Sequence, residues 1–224
     1  MSAADFAVNF FVALFALIDP VGNVPVFAAA VAGASATGRR LVALYIALFA
    51  FVFLTFFYFT GEGLLHFFGI SMPAFRIAGG VLLFLMGLEM ARDDFTARFT
   101  ALNDGETQGP FDYARRRFER LIVPFGMPLL IGPGAISTVI IYGAEARPLG
   151  ATGTGIGVGV IAAVSSLVLA AFLAAPLISR LLGRIGLTVV VRVLGLILCA
   201  LAVQFILSGI GDAAGVALPG AAPP

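Results

Sequence analysis

Ile18-Asp19-Pro20-Val21-Gly22-Asn23-Val24-Pro25 interrupts an otherwise apolar N-terminal stretch. A second break, Ile131-Gly132-Pro133-Gly134-Ala135-Ile136-Ser137, stands later in the chain. A carboxylate, two prolines and a glycine inside a segment of bilayer length add nothing to anchoring. Polar groups at that depth are costly, so they line a pathway or a site. Paired breaks at matching places in two halves are the sequence pointer to a transporter site.

The rest of the chain supplies the membrane. Of its 224 residues 61% are hydrophobic and 11% charged, with a mean hydropathy of +1.09. A soluble domain is about half apolar and about a quarter charged, so this is an integral membrane protein. All the basic residues are Arg, and the net charge is +1. No basic face is available to neutralise phosphates, which excludes nucleic acid as a partner. One cysteine, Cys199, and one histidine, His66, leave no intrachain disulfide and no His/Cys cluster of metal-ligand spacing. No cofactor is expected. The N-terminus has no basic residue ahead of its apolar run and no small-x-small cleavage site, so the mature chain is expected to begin at or near Met1.

A span needs about 20 mostly apolar residues. Six segments qualify: 6–31, 41–60, 73–91, 121–144, 151–179 and 189–210. Continuous apolar character without alternation means helices with satisfied backbones rather than a barrel. Between the third and fourth spans, 92–120 is polar and of mixed sign, which reads as a solvated linker. The alternative reading makes Arg115 to Arg120 the start of an interfacial helix. With six spans, the face holding the first, third and fifth loops collects Arg39, Arg40, Arg92, Arg98, Arg115, Arg116, Arg117, Arg120, Arg180 and Arg184. Positive-inside bias makes that face cytoplasmic and puts both termini outside.

The two halves resemble each other. Pro20 matches Pro133 at an offset of 113, Leu65–Ser71 matches 182–188 at 117, and Arg76 to Gly79 matches Arg192 to Gly195 at 116. Three spans per half force the second half upside down. The expected fold is an all-α membrane protein: six transmembrane helices in a 3+3 inverted repeat, with helices 1 and 4 broken near the midplane. Residues 1–91 form the first repeat, 92–120 a cytoplasmic linker, and 121–224 the second repeat with a short external tail.

The breaks carry the expected chemistry. Asp19 reads as an N-cap with Pro20 as the first residue of a new half-helix, since Asp caps well and Pro tolerates that position. Gly132 and Pro133 take those positions in the second half, and Pro25 and Pro128 loosen their own helices. The two half-helix N-termini are expected to face each other, each carrying free N–H groups and partial positive charge. Asp19 already occupies one; Gly132 leaves the other open. A small zwitterion suits that asymmetry. Its carboxylate is expected on the N–H groups after Gly132, near Gly134 and helped by Ser137 or Thr138. Its ammonium is expected at Asp19, with Gly22 and the Asn23 amide oxygen alongside. The competing reading is that Asp19 only caps its own half-helix.

Other polar residues read as structural. His66, Arg76 and Arg192 sit where side chains snorkel to an interface. Glu89 is a candidate for proton coupling, against the plainer reading of a solvated inner-edge carboxylate. Gly79-Gly80, Gly87 and Gly195 read as places of close helix approach.

These residues resemble the MarC family (UPF0056-type) of bacterial inner-membrane proteins. The likeness is carried by Asp19 to Phe27, Ala74 to Phe84, Pro128 to Thr138 and the Gly195 to Ile210 region. It covers nearly the whole chain. The resemblance implies a secondary transporter of small neutral amino acids such as glycine, alanine or serine, coupled to protons, in the inner membrane. Two other readings stand beside it: export in the manner of LysE-type proteins, and, as a separate class, a membrane protein that is not a transporter. An intramembrane enzyme is not expected, because the one histidine has no Gly-x-Ser-x-Gly serine nearby. The expected partners are the bilayer, a small amino acid and, as an open option, further copies of the chain.

Overall fold

The computed structural model describes residues 2–92 and 109–215, and among these every regular element is a helix. Helix α1 (Ala3–Ile18) opens on a capping box between Ser2 and Asp5. It ends at Asp19, whose backbone is left-handed at φ 41°. A short turn follows, and α2 (Val24–Ala30) starts after Asn23 with Pro25 in its first turn. Helix α3 (Ala36–Phe67) is capped by the Ser35 hydroxyl accepting from the Gly38 N–H at 3.1 Å. Gly69, at φ +66°, turns the chain into α4 (Met72–Arg92).

The first break therefore differs from expectation. Asp19 closes α1 from its C-terminal end and does not begin the next helix. Its carboxylate accepts the Gly22 N–H at 3.0 Å, and Gly22 is close enough that a Cβ there would collide with that carboxylate. This local bond stabilises a turn instead of a helix start, and Asp is among the few residues that visit the left-handed region readily. Asn23 takes the cap position instead. Its side-chain NH2 donates back to the Ile18 and Asp19 carbonyls at 2.9 and 3.1 Å, which satisfies two acceptors at the end of α1.

The second break follows expectation more closely. After α5 (Pro110–Leu121), residues Ile122–Leu130 form a π-helix, and Ile131 donates to the Gly126 carbonyl five residues back. Pro124 and Pro128 lack N–H groups, so the ordinary four-residue ladder is incomplete there. Gly132 is then the N-cap and Pro133 the first residue of α6 (Pro133–Ala146). A 3-10 turn at Arg147–Leu149 leads into α7 (Gly150–Ala214).

Helix α7 holds the expected fifth and sixth spans as two helical arms that meet at a kink. The kink is at Gly183, at φ 62° and ψ −174°, between the arm that ends near Ile178 and the one that starts near Thr188. Among the described residues four stretches are long and apolar enough to cross a membrane: Ala36–Phe67, Met72–Arg92, Pro133–Ile178 and Thr188–Ala214. Ala3–Ile18 is apolar but shorter. The third stretch includes Gly150 at φ +61°, and Gly143 and Gly157 on either side of it both lie against Tyr58.

Most of the expected linker lies outside the described residues, among them Asp93, Asp94, Arg98, Asp104 and Glu106. Its described end is ordered helix. Helix α5 lays Ala114, Arg117 and Leu121 against the bundle and leaves Arg115, Arg116, Glu119 and Arg120 exposed. Arg117 is 3% exposed, and its Nε donates to the Ala30 carbonyl at 2.7 Å, joined by Nη2. That cation closes the C-terminal end of α2, where partial negative charge collects.

Packing is by aromatic and small residues. Phe10 stacks on Tyr142 at 4.6 Å, tying α1 to α6, and Phe27 stacks on Phe172 at 4.3 Å, tying α2 to α7. Helix α4 and the end of α7 approach through glycines. A methyl on Gly87 would sit 2.7 Å from the Gly195 carbonyl oxygen, one on Gly80 2.8 Å from that of Ala202, and one on Gly209 2.8 Å from that of Pro73. Small residues at a helix seam allow this without any polar glue.

Candidate functional site

A cavity of about 410 Å³ lies among α1, α4, α6 and the second arm of α7. Helix α6 contributes Ser137, Thr138, Ile141, Tyr142 and Glu145, which share one face at helical spacing. The facing arm of α7 contributes Leu201, Gln204, Phe205 and Ser208 by the same rule. Ala13 and Leu17 of α1 form an apolar wall, and Arg76 projects from the first turns of α4. Hydroxyls, an amide and charges of both signs therefore meet in one apolar-walled space. Pockets that orient small ligands have that composition.

The expected site residues divide between this cavity and two other places. Ser137 and Thr138 line it. Ser137 is 2% exposed, and its hydroxyl donates to the Gly134 carbonyl at 2.9 Å. Gly132 and Gly134 are buried at the start of α6, where no side chain caps the helix. That end is covered on two sides. Pro133 packs on Gly79 so tightly that a Cβ there would overlap it, and Gly134 lies against the Phe205 ring.

Asp19, Gly22 and Asn23 form the turn between α1 and α2, outside the cavity lining. Asp19 is exposed and Asn23 is 8% exposed. The Asn23 NH2 group is used within the turn. Helix α2 docks on α7 through Phe27.

Several lining residues were absent from the sequence reading of the site. Arg76 reads as an interface anchor from its position, yet its side chain is 18% exposed, lies in the cavity wall and pairs with Asp212 at 2.5 Å. Its repeat mate Arg192 is exposed, as are His66 and Glu89. Glu145, Gln204 and Ser208 did carry a signal. Gln204, Ser208 and Asp212 recur every fourth residue in an apolar helix, and Thr138, Tyr142 and Glu145 follow at spacings of four and three, which also share a helical face. A second ion pair, Arg147 with Glu62, joins the end of α6 to the end of α3. Among the described residues no group of three His, Cys, Asp or Glu is placed to hold a metal ion.

The chain matches the description "MarC family integral membrane protein" over residues 4–214. It belongs to the MarC family. A UPF0056 membrane protein of Aquifex aeolicus is 33% identical over 209 residues, covering 91% of each chain. One from Pyrococcus horikoshii is 34% identical over 203 residues, covering 91% of this chain and 93% of its own. The Escherichia coli UPF0056 membrane protein YhcE is 33% identical over 211 residues, covering 92% and 93%. No solved structure matches. The MarC chain is thus an integral membrane protein with several apolar helices, and both breaks fall inside the matched region.

Proposed function

We propose that this MarC protein is a secondary transporter of small neutral amino acids of the glycine, alanine and serine class. The observation that carries the reading is the cavity beside the Gly132-Pro133 break, with Arg76, Glu145 and the hydroxyls of Ser137, Thr138 and Ser208 in its lining. A zwitterion presents both charges at short separation. A lining with both signs pairs each end, and the apolar remainder suits a small side chain. Nothing in this reading requires a cofactor or a bond-breaking step, so the protein is taken as a transporter and not an enzyme.

The proposed architecture is six spans in two inverted halves, 1–91 and 121–224, joined by 92–120. Three observations support it. Both halves contain a broken first element, at 19–23 and 131–132. Gly150 and Gly183 punctuate the second half by positive φ, much as Gly33 and Gly69 do the first. Gly143 and Gly157 both meet Tyr58, which suits a chain doubling back at Gly150. In an inverted repeat the two halves exchange roles as access alternates. The Asp19–Asn23 turn is then the element that lines the pathway when the cavity opens to the opposite face.

By its Arg-rich loops the protein sits in the inner membrane with both termini outside, and protons are the proposed coupling ion. Counterflow of labelled alanine or glycine into proteoliposomes, with and without a pH gradient, tests the proposal. Saturable exchange that the gradient accelerates is expected. Absence of exchange for every small amino acid overturns it.

A further inference from the structure

Arg76 has more than an anchoring position. Its guanidinium reaches the cavity wall and simultaneously holds the Asp212 carboxylate at 2.5 Å. That ion pair is not what fastens α4 to α7. The two helices are already in backbone contact through Gly80, Gly87, Gly195 and Gly209. Asp212 is 52% exposed in its side chain, and a pair with one member half in water adds little stability. A mostly buried cation facing a ligand-sized cavity is therefore held by a replaceable partner.

We propose that Arg76 is the carboxylate-binding residue of the cavity, with Asp212 as its resting occupant that the ligand's own carboxylate displaces. This rests on the amino-acid reading above and assigns one end of the zwitterion. The exchange replaces one carboxylate on the guanidinium with another, so the Arg76 charge is never left unpaired. An amine or amide has no group able to make that exchange. The ammonium end is then assigned to Glu145 and the Thr138 hydroxyl, which α6 contributes to the same lining. An internal competitor also lowers apparent affinity by the fraction of time that it holds the site.

The competitor gives a test that a merely structural ion pair fails. The purified full-length protein in detergent is titrated with alanine, propionate and alaninamide, and binding is read by calorimetry and thermal shift. Wild type is expected to bind alanine, to bind propionate more weakly and to ignore alaninamide. Asp212→Asn is expected to tighten alanine binding about three- to tenfold, because the competitor loses its charge. Arg76→Gln is expected to lose binding of both carboxylates by at least about tenfold. Arg76→Lys, which keeps the charge without the fork, is expected to fold and still bind more weakly. If alanine binds but Asp212→Asn leaves it unchanged or weaker, and Arg76→Lys binds as wild type, the assignment is wrong while transport stands. If propionate binds through Arg76 and alanine neither binds nor exchanges, the carboxylate site stands and the amino-acid reading fails. If neither ligand binds, both fail.

Discussion

At Asp19 the backbone and the charge are separable, which lets mutation tell them apart. Asparagine tolerates the left-handed conformation and still offers an oxygen to the Gly22 N–H, whereas alanine does neither. Asp19→Asn is expected to keep thermal stability within about 0.5 kcal/mol of wild type and to abolish exchange. Asp19→Ala is expected to cost about 1–2 kcal/mol. Normal transport by the asparagine variant removes the carboxylate from the pathway. Gly134 offers a second probe, since an added methyl meets the Phe205 ring. That ring lines the cavity, so Gly134→Ala is expected to push it inward and weaken alanine binding several-fold, with a smaller change in stability. At the N-terminus, bonds from the Ser2 hydroxyl and backbone N–H hold the Asp5 carboxyl below its usual range. A depressed carboxylate stabilises fully above the ordinary value and loses that contribution as pH falls through the lowered one. Amide protection at the start of α1, relative to the intrinsic exchange rate at each pH, is thus expected to fall only below about pH 4.

Among the elements, α5 departs furthest from its sequence reading. A mixed-sign run looks solvated, but Ala114, Arg117 and Leu121 fall on one face and close on the bundle. Arg117→Ala is expected to destabilise by about 2 kcal/mol, because the Ala30 carbonyl loses a charged donor in a buried place. Denaturation in detergent reads it, and an unchanged midpoint would show that α5 is not fastened there. The α4–α7 seam makes the opposite demand, for absence of side chains. Gly87→Val is expected to cost at least about 1–3 kcal/mol by overpacking against Gly195, while Gly63→Val, where a Cβ meets open space, is not. The glycine signal was legible in the sequence at 79–80, 87 and 195. The partner of each glycine was not, because composition names small residues without saying which helix meets them.

For the whole molecule, the arrangement predicts which loops share a face. Cysteine placed at Gly69 or Gly150, in a variant with Cys199 replaced, is expected to react with an impermeant reagent from outside the cell. Cysteine at Ser35 is expected to react only after permeabilisation. The charged pairs Arg76–Asp212 and Arg147–Glu62 belong to the first of these ends, and Arg39 and Arg117 to the other. Labelling of all three positions from one side would break the six-span reading.

Membrane residence, the helical class and the position of both breaks follow from the sequence by itself. Apolar length and misplaced Asp, Pro and Gly residues act locally, whatever the chain later packs against. Family membership likewise needs only the order of residues. Tertiary structure decided what the breaks face. It turned Asp19 from the cap of a new helix into the close of the old one, and placed Ser137 and Thr138 on a cavity that Asp19 does not line. It also moved Arg76 from a presumed anchor to a cavity wall. A side chain's partner across a bundle depends on helix rotation and crossing, set by the close approach of Gly79, Gly87 and Gly195 to neighbours more than fifty residues away in the chain.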